Sequence, residues 1–327
     1  MKNIGIIVLN WQGWKDTILC LDSLWSLQCP IPFSLIVCDN ASTNDSVAQI
    51  LHWAQCHYSL AEIKLISPPF IETSEVPFTL IQTGHNLGFA GGVNVGIRYA
   101  LAARFCEYLW VLNNDTRVDA QALTALYHCA QQNSQVALLG STILDYEDTD
   151  KVQCAGGCRY YPLLTIIKPW GRGKSLKEVL NYPAHALKLD YIYGASLFLR
   201  ISAIQKVGLL NEDYFLFYEE LDYAHRLTHQ GYQMAWCRNS LVYHKGSASI
   251  QRTSDNPRTS LQQANYYENL NTLKYTANFY PNWLIWVMLI RFTLKSLVLL
   301  LRWDMDLFSP LYKAYQDFIQ HKRRNVT

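Results

Sequence analysis

Along the first half of the chain, short runs of Ile, Leu and Val alternate with stretches whose apolar residues recur at helical spacing, the pattern of a parallel α/β sheet. Residues 4–9 predict a first strand, and residues 14–27, with Ile18, Leu21, Leu24 and Trp25 in register, predict the helix after it. A second strand over 33–38 runs into a polar loop, 39–45, where Asn44, Asp45 and Ser46 signal a helix carrying Val47, Ile50, Leu51 and Ala54. Pro68, Pro69 and Pro77 mark 67–77 as a surface excursion before a third strand over 78–82. The glycine-rich segment 85–96 opens a helix through Tyr99 and Leu101, and a short buried strand over 108–112 stops at Asn113-Asn114-Asp115-Thr116. Asp119 heads a helix to about residue 130, and 136–139 predicts another strand. Residues 146–190 are irregular and predict loops and antiparallel strands; 187–200 and 234–245 predict strands flanking a helix over 219–230, and the pattern from 257 onward is helical.

Composition narrows the class. With 327 residues, 50% hydrophobic and 17% charged, the chain is neither disordered, collagen-like nor a small disulfide scaffold. A net charge of +2 argues against a nucleic-acid partner bound on a broad basic face. The charge is uneven, however: residues 281–327 hold seven basic groups against three acidic ones. Nine cysteines, an odd number without a CxxC pair and with Cys154 and Cys158 the closest couple, read as thiols and point to the cytosol. The apolar stretch before Asn10 is six residues long, too short for a signal peptide.

Polar residues at the carboxyl ends of parallel strands are where open α/β sheets bind ligands. Asp39 stands at such an end, suited either to accept from a base imide or ribose hydroxyl or simply to form a helix-entry turn. Asn113-Asn114-Asp115 offers hard oxygens for Mg²⁺ or Mn²⁺ bridging a diphosphate, with a turn as the plainer reading. Glu219, Glu220 and Asp222 follow the apolar run 214–218; a carboxylate against apolar walls has its pKa raised and can serve as a base near neutral pH, whereas first-turn helix acids need no such role. His244 ends another strand. There is no GxGxxG after the first strand and no GxxxxGK[ST], which argues against a nicotinamide dehydrogenase or a P-loop NTPase.

Taken in order, VLNWQGWKDTILCLDSL, VCDNASTNDSV, NLGFAGGVNVGIRYAL, WVLNNDTRVD, YFLFYEELDYAHRLTHQGY and VYHKGSAS resemble the family 2 inverting glycosyltransferases of the GT-A fold, in particular the rhamnosyltransferase-like and galactofuranosyltransferase-like branches. The resemblance covers about residues 3–280. It implies an α/β, Rossmann-like mixed sheet flanked by helices, with residues 1–257 as catalytic domain (nucleotide-binding half 1–145, acceptor-side half 146–257) and 258–327 as a helical extension. It implies that Asn10 and Asp39 hold base and ribose, that Asn86, Gly91, Asn94 and Asn114 contribute to the nucleotide-sugar cleft, and that Asp115 and His244 ligate Mg²⁺ or Mn²⁺. Glu220 takes the part of catalytic base, with Glu219 and Asp222 as acceptor-side neighbours. Asn211-Glu212 stands where many relatives have Asp-Glu, and Leu270-Asn271 where many have Arg-Asn.

The expected activity is transfer from a pyrimidine nucleotide-sugar, dTDP-rhamnose first, to a saccharide or lipid-linked acceptor in bacterial surface polysaccharide synthesis. UDP-galactofuranose, UDP-N-acetylglucosamine and UDP-galactose are alternative donors, and a non-catalytic membrane-peripheral binding protein is the competing class. A sugar nucleotidyltransferase would want a basic glycine-rich signature after strand one, which Asn10-Trp11-Gln12-Gly13 lacks. The apolar segment 283–303 carries Arg291 and Lys295 near its centre, each costing about 2.5–3.5 kcal/mol inside a bilayer, so it predicts an interfacial helix with snorkelling cations, or one packed on protein, rather than a span. The place of work is the cytoplasm or, peripherally, the inner face of the plasma membrane; oligomeric state is left open.

Overall fold

The run NIGIIVLN has no polar side chain between its two end residues, so it suits only a strand covered on both faces. The computed structural model, which describes residues 3–70, 75–183, 187–246 and 257–324, places it at the centre of a large mixed sheet. In chain order the elements are β1 (Asn3–Asn10), α1 (Trp14–Trp25), β2 (Phe33–Asp39), α2 (Ser46–His57), β3 (Ile63–Ile66), β4 (Phe78–Gln82), α3 (Gly88–Ala103), β5 (Cys106–Asn113), β6 (Thr116–Val118), α4 (Ala122–Gln132) and β7 (Val136–Asp145). There follow β8 (Val152–Ala155), β9 (Gly157–Tyr161), β10 (Ile166–Pro169), α5 (Leu176–Leu180), β11 (Tyr191–Ile192), β12 (Ser196–Arg200), α6 (Ile201–Val207), α7 (Glu219–His229), β13 (Gln233–His244), α8 (Pro257–Phe279), α9 (Leu284–Leu301) and α10 (Phe308–Arg324).

Among the described residues the main sheet has the order β3-β4-β2-β1-β5-β12-β7-β13-β6, with β8 on β7, and β10-β9-β11 form a second, small sheet. β3, β4, β2, β1 and β5 are mutually parallel; β12 enters antiparallel between β5 and β7. Alternation along the strands sends Ile4, Ile6 and Val8 to one core and Ile7 with Ile36 and Cys38 to the other, on opposite faces of the sheet.

Four differences from the sequence reading have physical causes. β3 precedes the proline-rich excursion, so 78–82 is the fourth strand; residues 71–74 of that excursion lie outside the described residues. The expected strand over 136–139 continues to Asp145, because Gly140, Ser141 and Thr142, which break the apolar run, are themselves buried: Ser141 Oγ lies 2.8 Å from both Ser196 Oγ and Ser240 Oγ, and the Cβ that Gly140 lacks would meet the backbone of Gly156. The expected strand over 187–200 is two, parted at Tyr193-Gly194-Ala195, where the chain leaves the small sheet for the large one. The cations of α9 do not snorkel. Arg291 is 6% exposed and donates to Asn269 Oδ1 (2.9 Å), Thr165 Oγ1 (2.7 Å) and Glu268 Oε1 (2.9 Å), while Lys295 donates to the same Glu268 at 3.1 Å.

The helical extension has its own core, Leu273, Val287, Leu311 and Ala314 among its buried residues, and is joined to the sheet domain through α8. There Tyr275 belongs to the main core, and Asn271 Nδ2 donates to the carbonyls of Leu216 and Phe217 at 2.8 and 3.1 Å. Residues 247–256, which include the end of the VYHKGSAS motif and the approach to the expected 257/258 boundary, lie outside the described residues.

Candidate functional site

Parallel pairing aligns strand ends, and here it aligns polar ones: Asn10 faces Asp39, Leu9 faces Asn113 and Asp39 faces Gln82. The resulting rim is knit together. Asn10 Nδ2 donates to Asp39 Oδ1 (2.6 Å), Thr17 Oγ1 donates to Asn10 Oδ1 (2.8 Å), Asn114 Nδ2 donates to Thr17 Oγ1 (3.0 Å), and the Ser42 N–H donates to Asp39 Oδ2 (3.0 Å). The last bond is the helix-entry turn that Asp39 suggested from sequence, so the turn and a strand-end carboxylate coexist. Beside it Asn40 holds the entry to α3, donating to Asn86 Oδ1 (2.9 Å) and accepting from the Leu87 N–H (3.0 Å). Asn86 in turn accepts from the Gly88 N–H at 3.0 Å. At Gly88, φ is +71° and a Cβ would collide with the carbonyl of Phe215, which accepts from the Phe89 N–H at 2.8 Å.

The β6–β13 pairing sets His244 opposite Thr116, one residue past Asp115. Asp115 is buried and neither carboxylate oxygen has a hydrogen-bond partner, while His244 Nε2 lies 3.3 Å from its Oδ1. Gln153 explains this pairing. Its amide nitrogen donates to the His244 carbonyl at 2.7 Å, which fixes the amide's orientation and turns its oxygen to His244 Nδ1 at 3.0 Å. With the ring neutral and its proton on Nδ1, where the Gln153 oxygen accepts it, Nε2 would turn a lone pair toward Asp115, with Asn113 Nδ2 3.4 Å away. A lone pair facing an anionic oxygen in a buried corner, beside the unpartnered Asn113 Oδ1, is a donor set that suits a divalent cation. Among the described residues no group of three or more His, Cys, Asp or Glu is placed to hold a metal ion, and Asp115 and His244 are the pair this chain would contribute. Cys20 lies nearby against Thr116 Oγ1, but burial pushes its thiol up to about 12 and keeps it protonated.

The carboxylate pair at the start of α7 follows two aromatic residues with left-handed backbones, Phe217 (φ 69°) and Tyr218 (φ 76°), which cost about 1–3 kcal/mol each and cluster at working sites. Asn271 holds them from the extension, through its two carbonyl contacts. Glu219 is buried with Oε2 unpartnered, and burial together with the neighbouring Glu220 raises its pKa well above the usual range. Glu220 is half-buried and desolvation pushes it up to about 7. Its carboxylate occupies the space where a side chain on residue 194 would stand, so a Cβ there would push the Glu220 carboxylate out of its place. The same bend links base and metal corner: the Tyr193 ring meets His244 edge-on at 6.1 Å, and the Asn113 N–H donates to the Ala195 carbonyl at 3.2 Å.

Three expected site residues are placed elsewhere. Asn94 is fully buried and spends its amide inside the fold, donating to Leu210 O (2.8 Å) and Glu212 Oε1 (2.9 Å) and accepting from the Leu210 N–H (3.1 Å). Gly91 packs against Leu87 of its own helix; it is Gly92 whose missing Cβ lets α3 approach Leu9 and Asn40. Asp222 turns from Glu220 into an ion pair with Arg226 at 2.6 Å, and Arg226 ties α7 to the carbonyls of Val207 and Leu209. Asn10, Asp39, Asn86 and Asn114 share the rim, while His244, with Asp115 beside it, and Glu220 meet the 193–195 bend and Glu219 neighbours Glu220. Gln153, Gly194 and Asn40 were not visible from sequence, since each acts on a residue of another strand or helix.

Part of the chain is similar to known proteins. Residues 4–156 match the family model described as glycosyl transferase family 2. The chain is 28% identical over 242 residues to the low-salt glycan biosynthesis hexosyltransferase Agl10 of Haloferax volcanii, covering 73% of this chain and 66% of that one. It is 26% identical over 175 residues to the galactofuranosyltransferase GlfT1 of Mycolicibacterium smegmatis, covering 52% and 54%. The matches thus span less than two thirds of these relatives' lengths. Among solved structures, the mannosyltransferase PcManGT of Pyrobaculum calidifontis, in complex with GDP-Man and Mn²⁺, superposes with a TM-score of 0.54 at 13% identity over 98% of this chain and 87% of that one, a likeness of fold. The family match covers the strands that build the rim and the Asp115 corner, just under half of the chain, and that part, set in a GT-A sheet, is similar to the family 2 glycosyltransferases.

Proposed function

We propose that this chain transfers a hexose from a nucleotide-sugar to a saccharide or lipid-linked saccharide acceptor with inversion at the anomeric carbon, dTDP-rhamnose being the first donor to test. The observation that carries the reading is the buried meeting of His244 Nε2 with an Asp115 carboxylate that has no hydrogen-bond partner, at the strand ends beside the Asn10–Asp39 rim. The rim would take the nucleoside. Asp115 and His244 would hold Mg²⁺ or Mn²⁺, whose charge, when it is bound, offsets that of the departing diphosphate.

Glu220 accepts the proton of the acceptor hydroxyl; the oxygen attacks the anomeric carbon from the side opposite the diphosphate, and the carbon–oxygen bond to phosphate breaks, releasing the nucleoside diphosphate. A single base and in-line attack leave no covalent sugar on the protein, hence inversion. Burial has raised Glu220 to about 7, which suits a base that must take a proton near neutral pH. The relatives' names, a hexosyltransferase and a galactofuranosyltransferase, support a hexose-class donor and make UDP-galactofuranose the second reading. We place the chain in the cytoplasm, working peripherally at the inner face of the plasma membrane.

A thermal-shift panel of dTDP-rhamnose, UDP-galactofuranose, UDP-N-acetylglucosamine and UDP-galactose, each with Mn²⁺ or EDTA, tests the proposal. The true donor raises Tm only with metal, by about 2.7 kcal/mol of stability at a hundredfold excess over Kd. No metal-dependent shift with any nucleotide-sugar would sink it.

A further inference from the structure

α9 carries apolar side chains on the face turned away from the protein. Its inward stripe, including Leu284, Val287, Arg291 and Leu299, is buried against neighbouring elements. On the opposite arc Ile285 (71% exposed), Trp286 (62%), Leu289, Leu297 and Leu301 stand in solvent. Because Arg291 and Lys295 both turn inward to Glu268, that outer arc bears no charge between residues 285 and 301. By length and composition Pro281–Leu301 could cross a bilayer, but one side of it is already committed to protein, so it is suited to lie along a membrane surface.

A second apolar element stands beside it. The hairpin joining β9 and β10 exposes Leu163, Leu164, Ile166 and Ile167, and the bond from Arg291 to Thr165 pins its tip to α9. Two elements more than a hundred residues apart are thus joined through one buried bond, and each exposes several aliphatic groups, which ordinary solvent-facing surfaces avoid. Trp283 and Trp303 (87% exposed) bracket the helix, where indoles favour the boundary between water and hydrocarbon. Exposed Lys168 and Arg302 flank the two apolar segments, and the acids at the far end of α9, Asp304 and Asp306, are held by Arg258.

We infer that the outer face of α9 and the β9–β10 tip form one docking surface for an anionic lipid bilayer. The basic margin selects a bilayer over a second copy of the chain, since a two-fold contact through this patch would bring like-charged rims together. The hairpin is also tied to the site through the core: Tyr160 on β9 meets Tyr218 edge-on at 6.2 Å, two residues before Glu220, and on the functional reading a membrane-anchored acceptor would approach from that side. This deepens the functional reading and rests on it only for the acceptor, because bilayer contact is measured without any sugar donor.

The test is flotation of the full chain with phosphatidylcholine vesicles, with and without phosphatidylglycerol, at low salt. Wild type should float with the anionic vesicles, and brominated lipids should quench its tryptophan fluorescence. The hairpin pair Leu164→Ser with Ile166→Ser, and separately the helix pair Trp286→Ser with Leu289→Ser, should each weaken partitioning about tenfold or more. Leu60→Ser, equally exposed but on the turn before β3, should leave it unchanged. Wild type recovered wholly in the soluble fraction with both vesicles overturns the inference, and so does a hairpin pair that floats like wild type. A concentration-dependent dimer in sedimentation that Trp286→Ser abolishes would give the surface to a second copy instead. Donor hydrolysis by the hairpin pair in vesicle-free buffer at the wild-type rate would separate lost docking from a lost active site.

Discussion

The rim at Asn10 and the corner at Asp115 sit on neighbouring strand ends, yet their polar groups are in opposite states. At the rim Asn10, Asp39, Thr17 and Asn40 all bond within the chain, and none of their side-chain atoms is left over. At the corner Asn113 Oδ1 and both Asp115 oxygens are buried without hydrogen-bond partners, and so, at the start of α7, is Glu219 Oε2. Native proteins rarely leave such groups alone, because each costs about 1–3 kcal/mol. A saturated network is a scaffold finished by folding, whereas an orphaned one is finished by a ligand. On the proposed reading the nucleotide side would be shaped in advance, and the reacting side would hold stored electrostatic cost for a cation or substrate to relieve.

The largest effect should come from Glu220→Gln, which keeps shape and removes the base: transfer should fall by about two to four orders of magnitude with donor binding retained. In the wild type, activity should drop as pH falls below about 7, and the variant should lose that limb. Stability runs the other way. Both carboxyls are raised above the ordinary 4.5, so between there and about 7 the folded chain holds more protons than the unfolded one, and stability declines as pH rises through that window. Glu219→Gln should flatten the decline in a pH series of urea melts. Transfer that survives in Glu220→Gln but fails in Glu219→Gln would move the base to the neighbour.

Next in size is Asp115→Asn, expected to cost about two orders of magnitude in turnover and to abolish the metal-dependent thermal shift. Metal-free, its Tm should equal or exceed that of the wild type, since an unpaired buried charge is gone, whereas Asn10→Ala should lose about 1–3 kcal/mol by stranding Asp39. Equal destabilisation at both sites would erase the contrast between rim and corner. Gln153→Leu, which frees the His244 ring, should weaken Mn²⁺ binding about 10–100-fold by titration calorimetry, with the fold intact. The smallest effect on activity belongs to Asn94→Ala. It should cost about 1–3 kcal/mol of stability through three lost buried bonds yet leave the donor KM near wild type; a large rise in KM would return Asn94 to the cleft.

What was legible in the sequence was whatever announces itself locally. A polar residue closing an apolar run marks a strand end, so Asn10, Asp39, Asn113 and His244 stood out, and the parallel α/β class followed from alternating runs, although the short β3 did not show itself. Gln153 and Gly194 stayed hidden because their meaning lies across strands: Gln153 acts on a histidine 91 positions away, and Gly194 matters through what a Cβ would strike. Asn94 misled because a glycine-rich helix entry looks like a ligand cradle, and one turn decides whether an amide faces cleft or core. Asp222 carried a readable warning in Arg226, four residues on, the spacing of a helix ion pair.

The insertion of β12 between β5 and β7 has a consequence for how the chain comes into being. When the ribosome has released β7, the two central strands still lack the neighbour that joins them, and their facing edges remain open until residues 196–200 emerge. At about 5–20 residues per second that interval lasts roughly 3–10 s, long for an unpaired hydrophobic strand edge in a crowded cell. The nascent sheet therefore closes late and from its middle, and its two halves become one cooperative unit only at that moment. A fragment ending near residue 145 would carry the nucleotide rim and the Asp115 turn but expose the bare flank of β5, so it should aggregate during synthesis rather than accumulate as a binding domain.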